Sequence, residues 1–322
     1  MGKLSGYRAP LKAPFTVCFW VTDHCQLSCR YCYAASDSKG RMDSSRLLVL
    51  VDEMAKLGVF DLVLAGGEPF LHPDIFTIID YFLSTGIQTA ILTNGIALDH
   101  ATRAKLSKVV GKRKSQVVIQ VSLDSPDPAI NDQTRGQGVL VSEHIRELAR
   151  DGFIVQLSCV LSTLNLRTAH QLIDAFYPDV KRYHFINIQR TLATQANANL
   201  LLTEEQTYEF WMRLWEHSKN FPDDLALPSL RTMLRMYGFD ETANASDPRW
   251  KPSFSCASCA AGLTHINIDS DFNVLGCDIA KDFTFMGNTR TKSFEKVWHS
   301  LLAHRIRTAT VPACHCMRTA DN

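Results

Sequence analysis

Short apolar segments alternate with helical segments through the first two thirds of this 322-residue chain. The apolar segments have the length and composition of buried β-strands, and the segments between them have a helical period. The predicted strands are residues 15–21, 61–65, 87–92, 117–123, 153–161 and 183–188. Strands separated by helices form parallel βαβ units, so the sequence predicts an α/β fold with an open or partly closed six-stranded barrel.

Glycine-rich and polar motifs follow four of the predicted strands. A cysteine group at 25–32 follows the first strand, a glycine pair at 66–67 the second, an Asn-Gly turn at 94–95 the third and Asp124 the fourth. In parallel α/β folds, functional sites form where the carboxyl ends of the strands meet. We therefore expect these motifs to lie together at one rim of the barrel.

Composition argues against several classes of partner. Lys plus Arg is 34 and Asp plus Glu is 33, so the net charge of +1 indicates neither a nucleic acid nor a membrane surface. No apolar run is long enough to cross a bilayer, and residues 1–15 lack the apolar core of a secretory signal. We expect a cytoplasmic protein, in which grouped cysteines bind metal rather than form disulfides.

The first cysteine group has the spacing C-x3-C-x2-C and comprises Cys25, Cys29 and Cys32. Three thiolates on one tight loop can hold three irons of a four-iron, four-sulfur cluster. The fourth iron then has no protein ligand, as required of a cluster that binds and reduces a small molecule directly. A structural zinc ion normally takes four ligands at C-x2-C spacings, so zinc is the weaker interpretation of this loop.

These cysteines, with the aromatic Tyr31 before the last of them, resemble the cluster motif of the radical S-adenosylmethionine (SAM) superfamily. The resemblance covers roughly residues 15–200. It implies a partial (β/α)6 TIM-like barrel, with the methionine groups of SAM chelating the open iron. It also implies that one electron from the cluster cleaves SAM to methionine and a 5′-deoxyadenosyl radical.

Further motifs resemble the same family and imply which residues contact SAM. The sequence 66–69 is similar to the family's GGEP element, which binds the SAM amino group through backbone and carboxylate, and 93–95 to its TNG turn. Residues 122–124 are similar to a strand end that faces the ribose, 131–136 to an HD-x-x-RG segment, and 160–165 to a strand end near the SAM carboxylate. The implied cofactor residues are Tyr31, Gly66, Gly67, Glu68, Pro69, Asn94, Ser122, Asp124, Arg135 and Asn165.

A second cysteine group lies in the last quarter of the chain, around a predicted hairpin at 264–268 and 272–275 and a helix at 294–303. This group resembles the SPASM/twitch extension of radical SAM enzymes, which carries auxiliary iron–sulfur clusters. Five cysteines fit a twitch-type extension with one auxiliary [4Fe–4S] cluster. The implied ligands are Cys259, Cys277, Cys314 and Cys316, with Cys256 as an additional candidate. The alternative is a zinc site made by Cys256, Cys259, Cys314 and Cys316.

The predicted organisation is therefore an N-terminal segment (1–14), a barrel with connecting helices (15–238) and an auxiliary iron–sulfur domain (239–322). The boundary is placed at the start of a stretch near 239–255 that is rich in Asn, Asp, Ser and Pro and is typical of a linker. Aromatic residues in 185–190 and 211–215 are candidates for the substrate side, or else belong to the core.

The resemblance implies an enzyme that abstracts a hydrogen atom from its substrate. The outcomes open to it are oxidation or dehydrogenation, epimerisation, and bond formation, on a small sugar or aminocyclitol or on a ribosomally made peptide. Epimerisation needs a thiol that returns a hydrogen atom, for which Cys159 and Cys256 are candidates. The alternative for Cys159 is a core position on a strand.

The implied partners are a flavodoxin or ferredoxin as electron donor and the substrate itself. A different class of function is a non-catalytic iron–sulfur or zinc protein that serves in maturation or sensing. A SAM-dependent transferase acting on RNA is a third, which the absence of excess basic charge disfavours.

Overall fold

The computed structural model describes residues 11–32, 34, 40–188, 197–227, 262–277 and 281–308, without the side chains of 282, 283 and 308. The strands are β1 Thr16–Thr22, β2 Asp61–Gly66, β3 Gln88–Thr93, β4 Val117–Ser122, β5 Ile154–Leu161, β6 Arg182–Asn187, β7 His265–Ile268, β8 Asn273–Leu275 and β9 Phe285–Asn288. The helices are α1 Ser44–Leu57, α2 Ile75–Ser84, α3 His100–Val110, α4 Pro128–Asn131, α5 Gly138–Arg150, α6 Leu172–Phe176, α7 Glu204–Ser218, α8 Lys281–Thr284, α9 Phe294–Trp298 and α10 Leu301–Thr308. Short 3-10 turns lie at Pro69–Leu71, Gly111–Gln116, Ala169–Gln171 and Ala198–Leu200.

These strands form one nine-stranded sheet in the order β6-β5-β4-β3-β2-β1-β7-β8-β9. Strands β1 to β6 pair in parallel with their sequence neighbours, as expected for consecutive βαβ units. The predicted α/β fold with a partial barrel is confirmed. The carboxyl ends of all six strands consequently lie at one rim.

The predicted C-terminal hairpin extends this sheet. Strand β7 pairs in parallel with β1, so that Thr16 lies opposite His265, while β8 and β9 follow in antiparallel order. The predicted boundary at 238/239 and the linker at 239–255 lie outside the described residues.

The helices cover one face of the sheet. Every second residue of β1 (Val17, Phe19 and Val21) packs into a large apolar core, which α1 enters with Leu47, Leu50, Val51 and Met54. Residues that favour the start and the end of a helix flank α1 in the sequence. The side chain of Asp43 accepts a hydrogen bond from the Arg46 amide at 2.8 Å, and Gly58 ends the helix at φ 84°.

The other face of the sheet is the interior of the partial barrel. Along β1 to β3 it is apolar, with Cys18, Trp20 and Ala65 in one small cluster. Along β4 to β6 two rows are polar: Gln120 and Gln156 share a 2.8 Å hydrogen bond, and Ser122, Ser158 and His184 align in one row of the sheet. The next row toward the rim pairs Val160 with Ile186 and is apolar. The barrel interior therefore has an apolar wall along β1 to β3 and, along β4 to β6, a wall with two polar rows, which we call the polar wall.

Two sequence expectations change in the structure. The helix expected at 294–303 is two helices, α9 and α10, because the Ser300 side chain accepts a hydrogen bond from the Ala303 amide and starts a new turn. The idea that aromatic residues near 185 and 211 line the substrate side is wrong for Phe185 and Trp211. Both are buried in the core beneath the helices, where Phe185 packs on Phe210 at 5.4 Å. No helix within the described ranges is long and apolar enough to span a membrane.

Candidate functional site

The three cysteines of the first group lie on one loop that begins directly after β1. Cys25 and Cys32 are exposed and Cys29 is half-buried, so all three thiols are close to the surface of the rim. Burial raises the pKa of the Cys25 thiol, and it raises the pKa of the Cys29 thiol to about 11. Without a metal these two thiols hold their protons near neutral pH, so a bound metal must displace them.

The glycine pair after β2 lets the chain run against the start of the cysteine loop. The Gly67 amide donates to the Thr22 carbonyl at 2.7 Å, and the Glu68 amide donates to the His24 carbonyl at 2.8 Å. A Cβ atom on Gly67 would stand 2.3 Å from the His24 oxygen, and one on Gly66 would stand 2.2 Å from the Thr22 oxygen. Only glycine permits this close approach, which fixes β2 and the cysteine loop to each other.

The carboxylate of Glu68 is fully buried and joins the ends of β2 and β3. It accepts hydrogen bonds from the Thr93 hydroxyl at 2.8 Å, the Asn94 amide at 2.8 Å and the Phe70 amide at 3.2 Å. Burial raises the pKa of this carboxyl to about 7 in spite of these three donors. A carboxylate has about four acceptor positions, so one position on Glu68 is left for a further donor.

Asn94 connects the β3 turn to the cysteine loop. Its Nδ2 atom donates to the Cys25 sulfur at 3.6 Å, and its Oδ1 atom accepts from the Ile96 amide at 2.9 Å and from the Gln26 side chain at 3.4 Å. Hydrogen bonds to a cluster sulfur are one of the factors that set the potential of an iron–sulfur centre. Asn94 is therefore placed to orient Cys25 and to tune its sulfur.

Asp124 and Asn165 lie together behind the rim, and both side chains are fully buried. The Asn165 Nδ2 atom donates to the Asp124 carbonyl and to the Val160 carbonyl, each at 2.8 Å. The Asp124 carboxylate pairs with Arg135 at 3.2 Å. Their predicted contact with SAM stays a prediction. Ser122 lies on the polar wall of the barrel interior, and its half-buried side chain reaches the rim.

Cys159 occupies the core position that the sequence offered as its alternative. It packs in the apolar core beneath the helices, and its thiol donates to the Asp124 carbonyl at 3.4 Å. Burial raises the pKa of this thiol well above its usual range. A hydrogen-donating thiol must reach the substrate, and this one lies on the side of β5 away from the barrel interior. The geometry therefore opposes the proposed role of Cys159 as a hydrogen donor.

Comparison with known proteins agrees with this geometry. The sequence model of the radical SAM superfamily matches residues 21–176, and that of an iron–sulfur cluster-binding domain, SPASM, matches residues 259–317. The PqqA peptide cyclase of Ruegeria pomeroyi is 30% identical over 330 aligned positions, which cover 98% of this chain and 83% of the cyclase. The chain belongs to the radical SAM superfamily.

Other relatives match this radical SAM protein over shorter or more divergent stretches. The mycofactocin maturase MftC of Mycobacterium tuberculosis is 27% identical over 54% of this chain and 43% of its own length, so the chain spans less than half of that relative. Streptococcus suis SuiB bound to S-adenosylmethionine aligns with a TM-score of 0.75 at 17% identity, over 93% of this chain and 69% of SuiB. SuiB bound to its precursor peptide SuiA aligns with the same TM-score of 0.75. These alignments show a shared fold.

The rim residues fit the cofactors of the radical SAM family, a [4Fe–4S] cluster and SAM. Three thiols on one loop supply the soft ligands that iron requires. Among the described residues, no three Cys, His, Asp or Glu side chains converge on the position of a single ion. The acceptor position left on Glu68 suits an ammonium group such as that of SAM.

Of the second cysteine group, the described residues include Cys277. Cys277 lies shortly after β8, and its backbone is held by Thr284. The Cys277 amide donates to the Thr284 hydroxyl at 3.0 Å, and that hydroxyl donates to the Cys277 carbonyl at 2.9 Å. The other predicted members of this group, Cys256, Cys259, Cys314 and Cys316, lie outside the described residues. The SPASM match covers four of the five cysteines of the group. The match therefore supports an auxiliary iron–sulfur cluster in this region, while the set of cysteines that binds this cluster stays a prediction.

Thr134 belongs to the rim but was not among the site residues predicted from the sequence. Thr134 is almost fully buried, and its hydroxyl donates to the Asp124 carboxylate at 2.9 Å and contacts the Asn131 carbonyl at 3.0 Å. Sequence reasoning treated it as a variable position within the segment 131–136. Its only signal was its place directly before Arg135 in a segment already assigned to the site.

Proposed function

We propose that this protein is a radical SAM enzyme that modifies a ribosomally made peptide. The observation that carries the proposal is the likeness to a peptide cyclase over 98% of this chain, barrel and C-terminal region included. The barrel at 15–238 then holds SAM and substrate, and the region 239–322 holds the auxiliary cluster. A small flavodoxin or ferredoxin supplies the electrons.

When bound, the cluster and SAM supply a 5′-deoxyadenosyl radical that is reactive enough to remove hydrogen from an unactivated carbon. The chain's residues bind, orient and enclose these groups. Cys25, Cys29 and Cys32 hold the cluster, and Asn94 orients the first of them through its 3.6 Å contact. Glu68 uses its remaining acceptor position for the ammonium group of SAM.

The outer edge of Arg135 is available for the SAM carboxylate, because only its Nε atom pairs with Asp124. Ser122 presents its hydroxyl to the ribose side of SAM. The role of Ser122 follows the family resemblance and its position at the carboxyl end of β4, whereas the role of Arg135, which lies after α4, follows from its ion pair with Asp124.

The polar wall of the barrel supports a peptide as substrate. A peptide backbone offers alternating amide donors and carbonyl acceptors, and the wall offers both kinds of partner in the row Ser122, Ser158 and His184. The buried Nδ1 atom of His184 has no hydrogen-bond partner among the described residues, and burial lowers the pKa of this imidazole, which favours its neutral form. A neutral imidazole accepts or donates a hydrogen bond without adding charge.

The first test is anaerobic reconstitution with iron and sulfide. We expect about eight irons per wild-type chain and about four in a Cys25→Ala/Cys29→Ala/Cys32→Ala variant, because one of two four-iron clusters is lost. Only the wild type should release 5′-deoxyadenosine from SAM in the presence of dithionite. Cys18→Ala is the matched control, because it removes a buried thiol from β1 outside the loop and should keep the wild-type iron content.

The substrate class is tested by incubating the reconstituted enzyme with synthetic precursor-type peptides and with aminocyclitols. A peptide should increase 5′-deoxyadenosine formation and change mass by loss of hydrogen. Turnover of an aminocyclitol alone would replace the peptide assignment with a small-molecule one. Zinc in place of iron, or a cluster with no SAM cleavage, would leave a metal-binding protein on a radical SAM scaffold.

A further inference from the structure

The carboxylate of Asp124 sits at the centre of a buried hydrogen-bond network at the end of β4. One oxygen accepts from the Tyr31 hydroxyl and from the Thr134 hydroxyl at 2.9 Å. The other oxygen accepts from Arg135 Nε at 3.2 Å and from the Val160 amide at 3.0 Å. The four donors come from the cysteine loop, the segment after α4 and strand β5.

Protein donors occupy all of the hydrogen-bond acceptor positions of the Asp124 carboxylate. An ionised carboxylate has about four acceptor positions, and four protein donors occupy them. The side chain is 0% exposed, as is that of Glu68, so the number of protein donors, and not burial, distinguishes the two carboxylates. A ribose hydroxyl would find no free position on Asp124, in contrast to Glu68, which accepts from three donors.

We propose that Asp124 is a positioning residue that fixes the cysteine loop to the barrel through the Tyr31 hydroxyl, and that it does not contact SAM. The inference rests on the proposed cluster site, because the loop needs a fixed position only if its cysteines are ligands. Tyr31 is the residue through which Asp124 can act, since it stands between Cys29 and Cys32 in the loop.

The loop is attached at more than one point on this side. The Arg135 guanidinium lies 5.5 Å from the centre of the Tyr31 ring, in cation–π contact. The Arg30 amide donates to the Thr134 carbonyl at 3.1 Å. The stretch between the second and third cysteines is thereby held against the segment that also binds Asp124.

The backbone of Asp124 is held as firmly as its side chain. Its amide donates to Asn131 Oδ1 at 3.0 Å, and its carbonyl accepts from Asn165 Nδ2 at 2.8 Å. Asn165 is fully buried, and its Oδ1 atom accepts from the Ser162 amide at 2.8 Å. A network whose members are all satisfied is rigid, so it can hold the loop in one position before iron arrives.

The test compares Tyr31→Phe with Tyr183→Phe. Both substitutions remove one buried hydroxyl, but Tyr183 donates to the Val180 carbonyl at 2.9 Å, far from the loop in sequence. Iron release to a ferrous chelator is followed in the anaerobically reconstituted holoenzyme, together with the EPR spectrum of the reduced protein. We expect Tyr31→Phe to speed release of the barrel cluster about tenfold, as for loss of a hydrogen bond to a charged group, and to change its spectrum. Release of the auxiliary cluster should be unchanged, and Tyr183→Phe should behave as the wild type.

Binding of SAM separates a positioning role from a ligand role. If Asp124 touches the ribose, Asp124→Asn weakens SAM binding while Tyr31→Phe leaves iron release at the wild-type rate, and the proposal is overturned. If Asp124→Asn does not fold, Tyr31→Phe alone decides, because it keeps the carboxylate and removes only the link to the loop. Failure of the proposed cluster site has a different signature: the triple cysteine variant would then hold as much iron as the wild type.

Discussion

At the scale of single residues, two fully buried carboxylates stand in opposite electrostatic surroundings. Asp124 pairs with a guanidinium at 3.2 Å in addition to its neutral donors. Glu68 accepts from one hydroxyl and two amides, and no cation pairs with it among the described residues. Burial disfavours the charged form, and three neutral donors offset this cost only in part. The raised pKa of Glu68 therefore reports a site that gains from a positive ligand.

The raised pKa of Glu68 makes stability depend on pH. Its value of about 7 in the folded protein exceeds the ordinary 4.5, so the folded state binds more protons between these two values. The free energy of unfolding should fall as the pH rises through this window and level off above it. At about 1.4 kcal/mol per pKa unit, the total fall is about 3 kcal/mol. Urea denaturation of the cluster-free protein at a series of pH values from about 5 to about 8 measures this fall in the free energy of unfolding.

Glu68→Gln should remove this pH dependence, because an amide does not titrate. The variant will also be less stable at every pH, since the amide nitrogen faces donors, so the slope is the informative quantity. Glu216→Gln, at a carboxylate that is 60% exposed, is the control and should keep the wild-type slope. An unchanged slope in Glu68→Gln would assign the pH dependence to another group.

At the scale of secondary-structure elements, helix α1 shows how strongly the apolar pattern determines orientation. Val51 is fully buried against the sheet, whereas Val49, two positions earlier, is 49% exposed. Two residues along a helix are about 200° apart, so one valine faces the core and the other faces solvent. The two positions share the same intrinsic helix propensity.

This pair of valines gives a prediction with an internal control. Val51→Ala should lower the free energy of unfolding by about 2 kcal/mol, because two buried methyl groups are lost and a cavity remains. Val49→Ala should be neutral or slightly stabilising, since alanine is the better helix former and little apolar contact is removed. Thermal or urea denaturation of both variants measures the difference. Equal effects would mean that α1 does not dock on the sheet as described.

The extent to which the sequence predicts this molecule follows from the physics of each element. Strand and helix positions follow from apolar periodicity, and α1 at 44–57 was predictable to the residue because Asp43 and Gly58 mark its ends. The position of the glycine pair was predictable from strand order. The full set of donors to Asp124 was not predictable, because Tyr31 and Val160 lie 93 and 36 residues from it in sequence and reach it only when the sheet has formed. Burial of Cys159 beneath the helices was left open for the same reason, since alternation along a strand does not say which face is the core.

At the scale of the whole molecule, the C-terminal region is bound to the barrel by more than the pairing of β7 with β1. Arg46 of α1 donates to the Thr289 carbonyl at 2.8 Å and to the Lys292 carbonyl at 2.7 Å. Glu53 lies about two turns further along the same face of the helix, and its carboxylate accepts from the Phe294 amide at the start of α9. The helix that follows the cysteine loop thus also holds the segment between β9 and α9. The positions of the two cysteine-bearing regions are consequently linked through α1.

Arg46→Met should loosen this attachment while leaving the barrel intact. The substitution keeps the apolar stem but removes two charge-assisted hydrogen bonds to backbone carbonyls, so we expect amide exchange at 286–298 to become at least about tenfold faster. Arg290→Met is the matched control, because Arg290 pairs with Asp271 at 3.0 Å on the surface, where both side chains are more than half exposed and such pairs contribute little. Hydrogen exchange followed by mass spectrometry measures both variants, with the peptides of β2 to β5 as internal reference. Faster exchange throughout the barrel would mean that Arg46 supports the whole fold, and unchanged exchange at 286–298 would mean that the sheet pairing alone holds the C-terminal region in place.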